Sequence, residues 1–242
     1  IMITESKVTE IFCISDDFCK EFEVEMAKNA LPSSSEYPKR RRKRMMSDAE
    51  VITILICFHF NTYRNFKHYY LSCVCGQWRH LFPRRFSYNR FVEVMPRCFV
   101  ALTMFLRLAC FGECTGISFV DSTCIPVIHN KREFNMKVFK GFAAKGRSTM
   151  GWYVGFKLHL LCNEKGEIVN FVLTRANVDD REESVIDTLT DKVFGKLYAD
   201  KGYISQSLFG HLWDNGVHIV TGLRSNMKQR LMPLYDKIML RK

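Results

Sequence analysis

The sequence predicts an all-helical N-terminal region over residues 1–110 and an α/β part, with a mixed sheet flanked by helices, over residues 111–242. Two observations lead to this prediction. Apolar residues recur mainly at helical spacing up to residue 110, and from Gly112 the spacing becomes that of strands. Two apolar runs, 116–123 and 196–203, each lead to an aspartate before a turn, as buried strands do when their ends reach a site.

The composition indicates a folded protein that faces a polyanion. The chain has 242 residues, is 47% hydrophobic and carries a formal net charge of +11. Residues 1–110 contain 17 basic and 11 acidic side chains, and residues 111–242 contain 19 and 14, so both halves are positive. Such a charge balance favours binding to nucleic acid, although many basic proteins bind none.

The sequence favours a cytoplasmic protein without a membrane segment. Acidic side chains run through the first 30 residues, where a secretory signal would have a basic start and an apolar centre. The longest apolar run, 51–60, is too short to span a bilayer. Most of the ten cysteines lie in apolar runs, so we expect free thiols in a reducing compartment.

Four helices are predicted in the N-terminal region. An amphipathic helix, broken at most once, covers residues 4–30. Ser47 to Glu50 form a capping box that begins a buried helix ending at Phe60. A third helix opens within 63–70, and Ser87 is the expected N-cap of a long helix that continues to Leu106.

A run of six cations follows the linker between the first two helices: Lys39, Arg40, Arg41, Arg42, Lys43 and Arg44. Such a run can be a solvated loop, but in a protein of this net charge we favour contact with phosphates. Helices with short connections and basic edges predict a DNA-binding region, with a helix-turn-helix as one alternative.

The C-terminal part reads as strand, hairpin, helix, strand, helix, strand. The predicted elements are the strand reaching Asp121, the hairpin strands 152–162 and 168–173, the helix 182–194, the strand reaching Asp200, the helix 205–213 and the strand 218–221. A hairpin followed by crossover connections predicts a mixed central sheet.

The stretch between residues 129 and 147 is rich in cations and aromatics. Its candidate phosphate contacts are Lys137, Lys140, Lys145 and Arg147, and Lys201 beside Asp200 is a further one. Its phenylalanines either stack on unpaired bases or pack the connection onto the sheet, and the sequence leaves both readings open.

Asp121 and Asp200 are the candidate catalytic and metal-binding residues. Two carboxylates at strand ends suit Mg²⁺ or Mn²⁺, and a two-metal site can activate an attacking hydroxyl and stabilise a leaving oxygen in phosphodiester chemistry. A single aspartate is more often a cap or turn former, so the prediction depends on the similarity of the two segments.

Three segments, 119–123 (FVDST), 177–181 (NVDDR) and 198–203 (YADKGY), resemble the signature blocks of DDE transposases from bacterial insertion sequences. With the blocks 63–68, 138–141 and 151–159, the chain looks most like insertion sequence family 982. The resemblance implies a ribonuclease-H-like fold behind a helical DNA-binding region, metal-dependent cleavage and strand transfer at element ends, and homodimers on DNA. Asp121 would bridge both metals, and Asp200 would hold one.

The chain departs from the family pattern in its third carboxylate. The family uses a glutamate on a helix after the last strand, whereas the acids here after Asp200 are Asp214 and Asp236. The pattern would place the glutamate shortly beyond Lys242, and Ile1 precedes Met2, so we expect a partial chain. Two alternatives remain: a DNA-binding remnant without catalysis, and a ribonuclease or junction resolvase of the same fold.

Overall fold

The computed structural model describes residues 3–29, 44–149, 151–223, 227 and 231–241. The chain forms two compact units, Ile1–Cys110 and Phe111–Lys242. Across these described segments, no helix has the length and apolar character needed to cross a membrane.

The first unit consists of helices packed around a core in which Ile52, Tyr69 and Phe91 are fully buried. Its α-helices are α1 (Glu5–Lys28), α2 (Asp48–Phe60), α3 (Phe66–Tyr69), α4 (Tyr88–Val94) and α5 (Phe99–Phe105). Helix α3 continues as a π-helix over Tyr70–Gln77, and α5 continues as a π-helix over Leu106–Cys110.

The predicted capping box at the start of α2 is confirmed. The Ser47 hydroxyl accepts a hydrogen bond from the Glu50 backbone N–H at 3.1 Å, and the Glu50 carboxylate accepts one from the Ser47 N–H at 2.7 Å. These two bonds satisfy amides that the first helical turn leaves without partners. Helix α2 could be predicted because this signal is local.

The prediction of one continuous long helix from Ser87 is wrong, although Ser87 caps the start of α4 as expected. Pro96 has no backbone N–H and clashes with an α-helical path, so a 3₁₀ turn over Met95–Cys98 separates α4 from α5. Helix α1, in contrast, runs unbroken for 24 residues.

The second unit is a six-stranded sheet in the order β2-β3-β1-β5-β6, with β4 also paired to β3. The strands are β1 (Ile117–Ile128), β2 (Ala144–Ser148), β3 (Gly151–Asn163), β4 (Ile168–Arg175), β5 (Gly195–Ala199) and β6 (Val217–Thr221). Strands β5 and β6 are parallel to β1, whereas β2, β3 and β4 form antiparallel pairs. The predicted fold class, a ribonuclease-H-like mixed sheet with flanking helices after a helical region, is confirmed.

Helices α6 (Glu183–Thr190), α7 (Gln206–Asp214) and α8 (Leu234–Met239) flank this sheet. One core cluster contains Ile186 of α6 and Leu208 of α7 together with Val120, Leu161 and Leu197 of the strands. A smaller cluster joins Tyr198 and Val220 to Met239 of α8.

Some elements of this unit differ from the sequence-based predictions. Strand β1 continues past Asp121 to Ile128, because β3 pairs with it along that length. Helix α6 ends at Thr190 instead of residue 194, and Lys192 then adopts a positive φ of 64°. Strand β2 was not predicted, because its AKGRS sequence lacks apolar alternation and its pairing partner is on β3.

Candidate functional site

The structure places Asp121 and Asp200 side by side. Strands β1 and β5 pair in parallel from Ile117 with Lys196 to Val120 with Ala199. Asp121 and Asp200 directly follow the last pair of this register, and both residues are exposed. We call these two residues the aspartate pair.

Two glycines define the start of this parallel pairing. Gly116 and Gly195 have φ angles of +91° and +83°, a region that side-chain-bearing residues rarely adopt. A Cβ on Gly195 would lie 2.4 Å from the Gly116 carbonyl oxygen, and the Lys196 N–H donates to that same oxygen at 2.8 Å. This close approach sets the register that brings the aspartates together five residues later.

The aspartate pair fits a divalent cation that prefers oxygen ligands. The Asp121 carboxylate accepts a hydrogen bond from the Ser122 N–H at 2.8 Å through Oδ1, and its other oxygen remains available. Asp200 begins a 3₁₀ turn over Lys201–Tyr203. No group of three or more His, Cys, Asp or Glu side chains in the described segments could hold a metal. Proteins commonly bind Mg²⁺ with one or two carboxylates, the remaining ligands being water and substrate phosphate.

Behind the pair lies a buried polar cluster, formed by Tyr153, Lys157, His159, Asp180 and Tyr203. The Lys157 ammonium lies 3.1 Å from Asp180 Oδ1 and donates to the Val178 carbonyl at 2.7 Å. His159 Nδ1 lies 3.7 Å from the same carboxylate oxygen, and His159 Nε2 is 3.0 Å from the Thr174 hydroxyl. The lysine thus holds the carboxylate in place.

Among the described residues, four buried atoms of this cluster have no hydrogen-bond partner: Tyr153 Oη, His159 Nδ1, Tyr203 Oη and Asp180 Oδ1, whose contact with Lys157 is an ion pair without hydrogen-bond geometry. Burial lowers the pKa of His159, which keeps its ring neutral at pH 7. Burial, with the nearby Asp180 charge, raises the pKa of both tyrosines, so their hydroxyls stay protonated. Sequence reasoning missed this cluster because its members come from three separate segments, and only the polar positions 157 and 159 of an apolar strand gave a signal.

Neither acid after Asp200 is placed as a further ligand. Asp214 is exposed at the end of α7. Asp236 is buried in α8, where its Oδ1 accepts hydrogen bonds from Lys196 Nζ and Tyr198 Oη, both at 2.7 Å. Burial raises the pKa of Asp236, but these two hydrogen bonds outweigh burial and hold the pKa below 3.8. The Asp236 carboxylate is therefore engaged within the fold.

The predicted phosphate contacts are separated in the structure. Lys145 and Arg147 of β2 flank the Trp152 ring of β3, with the ammonium 5.9 Å and the guanidinium carbon 6.0 Å from its centre, and Trp152 is 56% exposed. Lys145 also pairs with Glu133 at 2.9 Å. Exposed candidates elsewhere in this unit are Lys137, Lys140 and Lys201.

Of the six-cation run, residues 39–43 lie outside the described residues. Arg44 is described, and its guanidinium lies 2.7 Å from the Asp48 carboxylate. This ion pair engages part of a guanidinium that is predicted to contact DNA phosphates.

The family model described as the transposase DDE domain matches residues 111–242. No curated protein matches the chain. Among solved structures, the piggyBac transposase synaptic complex with hairpin DNA aligns with a TM-score of 0.45 and 12% identity, over 94% of this chain and 50% of that chain.

The Mos1 transposase paired-end complex with left transposon end aligns with a TM-score of 0.27 and 13% identity, over 82% of this chain and 65% of that chain. The chain thus spans half the length of the piggyBac transposase chain. The matched segment contains β1, β5 and the aspartate pair and covers more than half of the sequence. This chain belongs to the transposase DDE domain family.

Proposed function

We propose that the protein is a transposase of a bacterial insertion sequence, most like insertion sequence family 982, that acts on the DNA ends of its element. The observation that carries this proposal is the register of β1 and β5, which sets Asp121 beside Asp200. Membership of the family supports the role of these carboxylates.

Asp121 and Asp200 would hold Mg²⁺ or Mn²⁺, which in this chemistry activates an attacking hydroxyl and stabilises the leaving oxygen. The protein would fix the positions of the two carboxylates, because the parallel pairing of β1 and β5 defines the backbone that leads to each of them. The exposed edge leaves room for a phosphodiester. The pair would thereby support cleavage at an element end and attack of the freed 3′-hydroxyl on a phosphodiester of the target DNA.

The DNA would be held mainly by cations in both units. Lys145 and Arg147 would contact phosphates while the exposed Trp152 ring between them stacks on a distorted base. Exposed Lys137, Lys140 and Lys201 would add phosphate contacts, as would the run 39–44 of the helical unit. We expect this protein to bind element ends as a homodimer.

The placement of Asp214 and Asp236 favours a second candidate, a DNA-binding protein with weak or no cleavage. A two-metal displacement needs both cations fixed, and misplacement by about 1 Å can cost on the order of 10²-fold in rate. The two described acids after the pair supply no further ligand, since Asp236 is bonded to Lys196 and Tyr198. We therefore expect the 242-residue chain to bind element-end DNA in Mg²⁺ or Mn²⁺ without nicking it.

The experiment combines a binding assay and a nicking assay on DNA that carries the element ends. Wild type and Asp121→Asn should both bind, and neither should nick efficiently; Asp214→Asn is the matched control for loss of one acidic charge. Robust nicking that Asp236→Asn abolishes, while the variant keeps the wild-type Tm and DNA affinity, would show that Asp236 is the third ligand. Preference for an RNA–DNA hybrid over element-end DNA would indicate the ribonuclease instead.

A further inference from the structure

Tyr203 is buried immediately behind the aspartate pair. It is 2% exposed and follows Asp200 by one 3₁₀ turn, in which the Tyr203 N–H donates to the Asp200 carbonyl at 3.1 Å. Its side chain belongs to the core cluster that contains Val120 and Ala199, the residues directly before Asp121 and Asp200. The ring thus packs in the same core cluster as the residues that directly precede both aspartates.

The Tyr203 hydroxyl has no hydrogen-bond partner, which is costly for a buried donor. The negative charges of Asp180, Asp121 and Asp200 all act on this hydroxyl. The Ser122 side chain lies next to it without making a well-formed hydrogen bond. A buried, unpartnered donor at the end of the strand that leads to Asp200 can bond a nearby carboxylate.

We propose that Tyr203 is a positioning residue for the aspartate pair: its buried hydroxyl donates a hydrogen bond to one of these two carboxylates when a divalent cation draws them together. This inference rests on the proposed function of the pair. A carboxylate that gives one oxygen to a metal commonly accepts a hydrogen bond at the other, which fixes its orientation. Asp180 is a less suitable acceptor for this hydroxyl, because the Lys157 ammonium already lies 3.1 Å from Asp180 Oδ1.

Tyr153 offers a matched control within the same cluster. Its hydroxyl is also buried and without a partner, and it lies near Asp180 and Cys124. Replacement of either tyrosine by phenylalanine removes one unpartnered hydroxyl and keeps the ring. Both Tyr203→Phe and Tyr153→Phe should therefore fold, with a metal-free Tm unchanged or raised by about 2–4 °C.

The experiment is a Mn²⁺ titration of the full chain, followed by electron paramagnetic resonance of free Mn²⁺ and by the Mn²⁺-induced rise in Tm. Tyr203→Phe should weaken Mn²⁺ binding about tenfold and reduce the Tm rise, whereas Tyr153→Phe should bind as wild type. Equal affinity in wild type and Tyr203→Phe, or equal losses in both variants, would overturn the inference.

Asp121→Asn separates this inference from the proposed function. If wild type binds Mn²⁺ no better than Asp121→Asn, the metal role of the pair fails and the role of Tyr203 fails with it. If binding depends on Asp121 but not on the Tyr203 hydroxyl, the positioning role alone is wrong.

Discussion

At the scale of single residues, one aspartate is engaged within the fold and two are exposed after neighbouring strands. Asp236 is 4% exposed and bonded to Lys196 and Tyr198, whereas Asp121 and Asp200 are exposed at one edge of the sheet. The sequence singled out Asp121 and Asp200 as strand-end carboxylates but did not reveal that Asp236 is bonded within the fold. The difference arises from partners 38 and 40 positions away, which no local pattern encodes.

Replacement of Asp236 should therefore destabilise the second unit. Asp236→Ala leaves the buried Tyr198 hydroxyl without its acceptor and removes a charge-assisted bond to Lys196, a loss of about 2–3 kcal/mol. Chemical denaturation of wild type and variant measures this difference. Asp214→Ala, at an exposed position, should change stability by less than about 0.5 kcal/mol, and equal effects of the two variants would contradict the structural role.

The stabilisation by Asp236 should also depend on pH. Its pKa in the folded protein lies below the ordinary 3.8, so the contribution is present above 3.8 and is lost as the pH falls through the folded value. The stability difference between wild type and Asp236→Asn should therefore narrow as the pH is lowered from neutral to below 3.8. A difference that widens in acid would show the opposite sign of the shift.

At the scale of elements, the register of β1 and β5 controls the site. The Gly116–Gly195 approach leaves no room for a side chain at the start of this ladder. The sequence predicted both strands and their terminal aspartates, because apolar runs and turns are local signals. It could not predict β2, whose AKGRS sequence lacks apolar alternation, or the buried polar cluster, which depends on packing between separate segments.

Gly195→Ala should disturb the site more than Gly216→Ala. Gly216 also has a positive φ, of 77°, but a Cβ there would meet nothing within 4 Å, so its substitution costs only backbone strain of about 1–2 kcal/mol. Gly195→Ala adds a clash with backbone, roughly 1–3 kcal/mol more. Thermal unfolding compares the two variants, and equal Tm losses would mean that the close approach does not constrain the ladder.

At the scale of the whole molecule, both units carry more basic than acidic side chains, and the formal net charge of the chain is +11. We expect each neutralised phosphate to contribute about 0.9 to the slope of log affinity against log salt. Alanine at positions 39–44 should therefore weaken DNA binding at low salt and flatten that slope. The paired variant Lys7→Ala/Lys28→Ala removes cations already bonded to Glu10 and Glu25 and should leave the slope unchanged. An unchanged slope in the 39–44 variant would mean that this run is a solvated linker.

The central claim is that Asp121 and Asp200 hold one divalent cation together, and a double-mutant cycle in Mn²⁺ affinity tests it most directly. Calorimetric titrations of wild type, Asp121→Asn, Asp200→Asn and the double variant supply the four affinities. Because the two carboxylates share an ion, each single variant should lose most of the binding and the double variant should lose little more. Full binding in either single variant, or losses that simply add, would show that the two aspartates do not form one metal site.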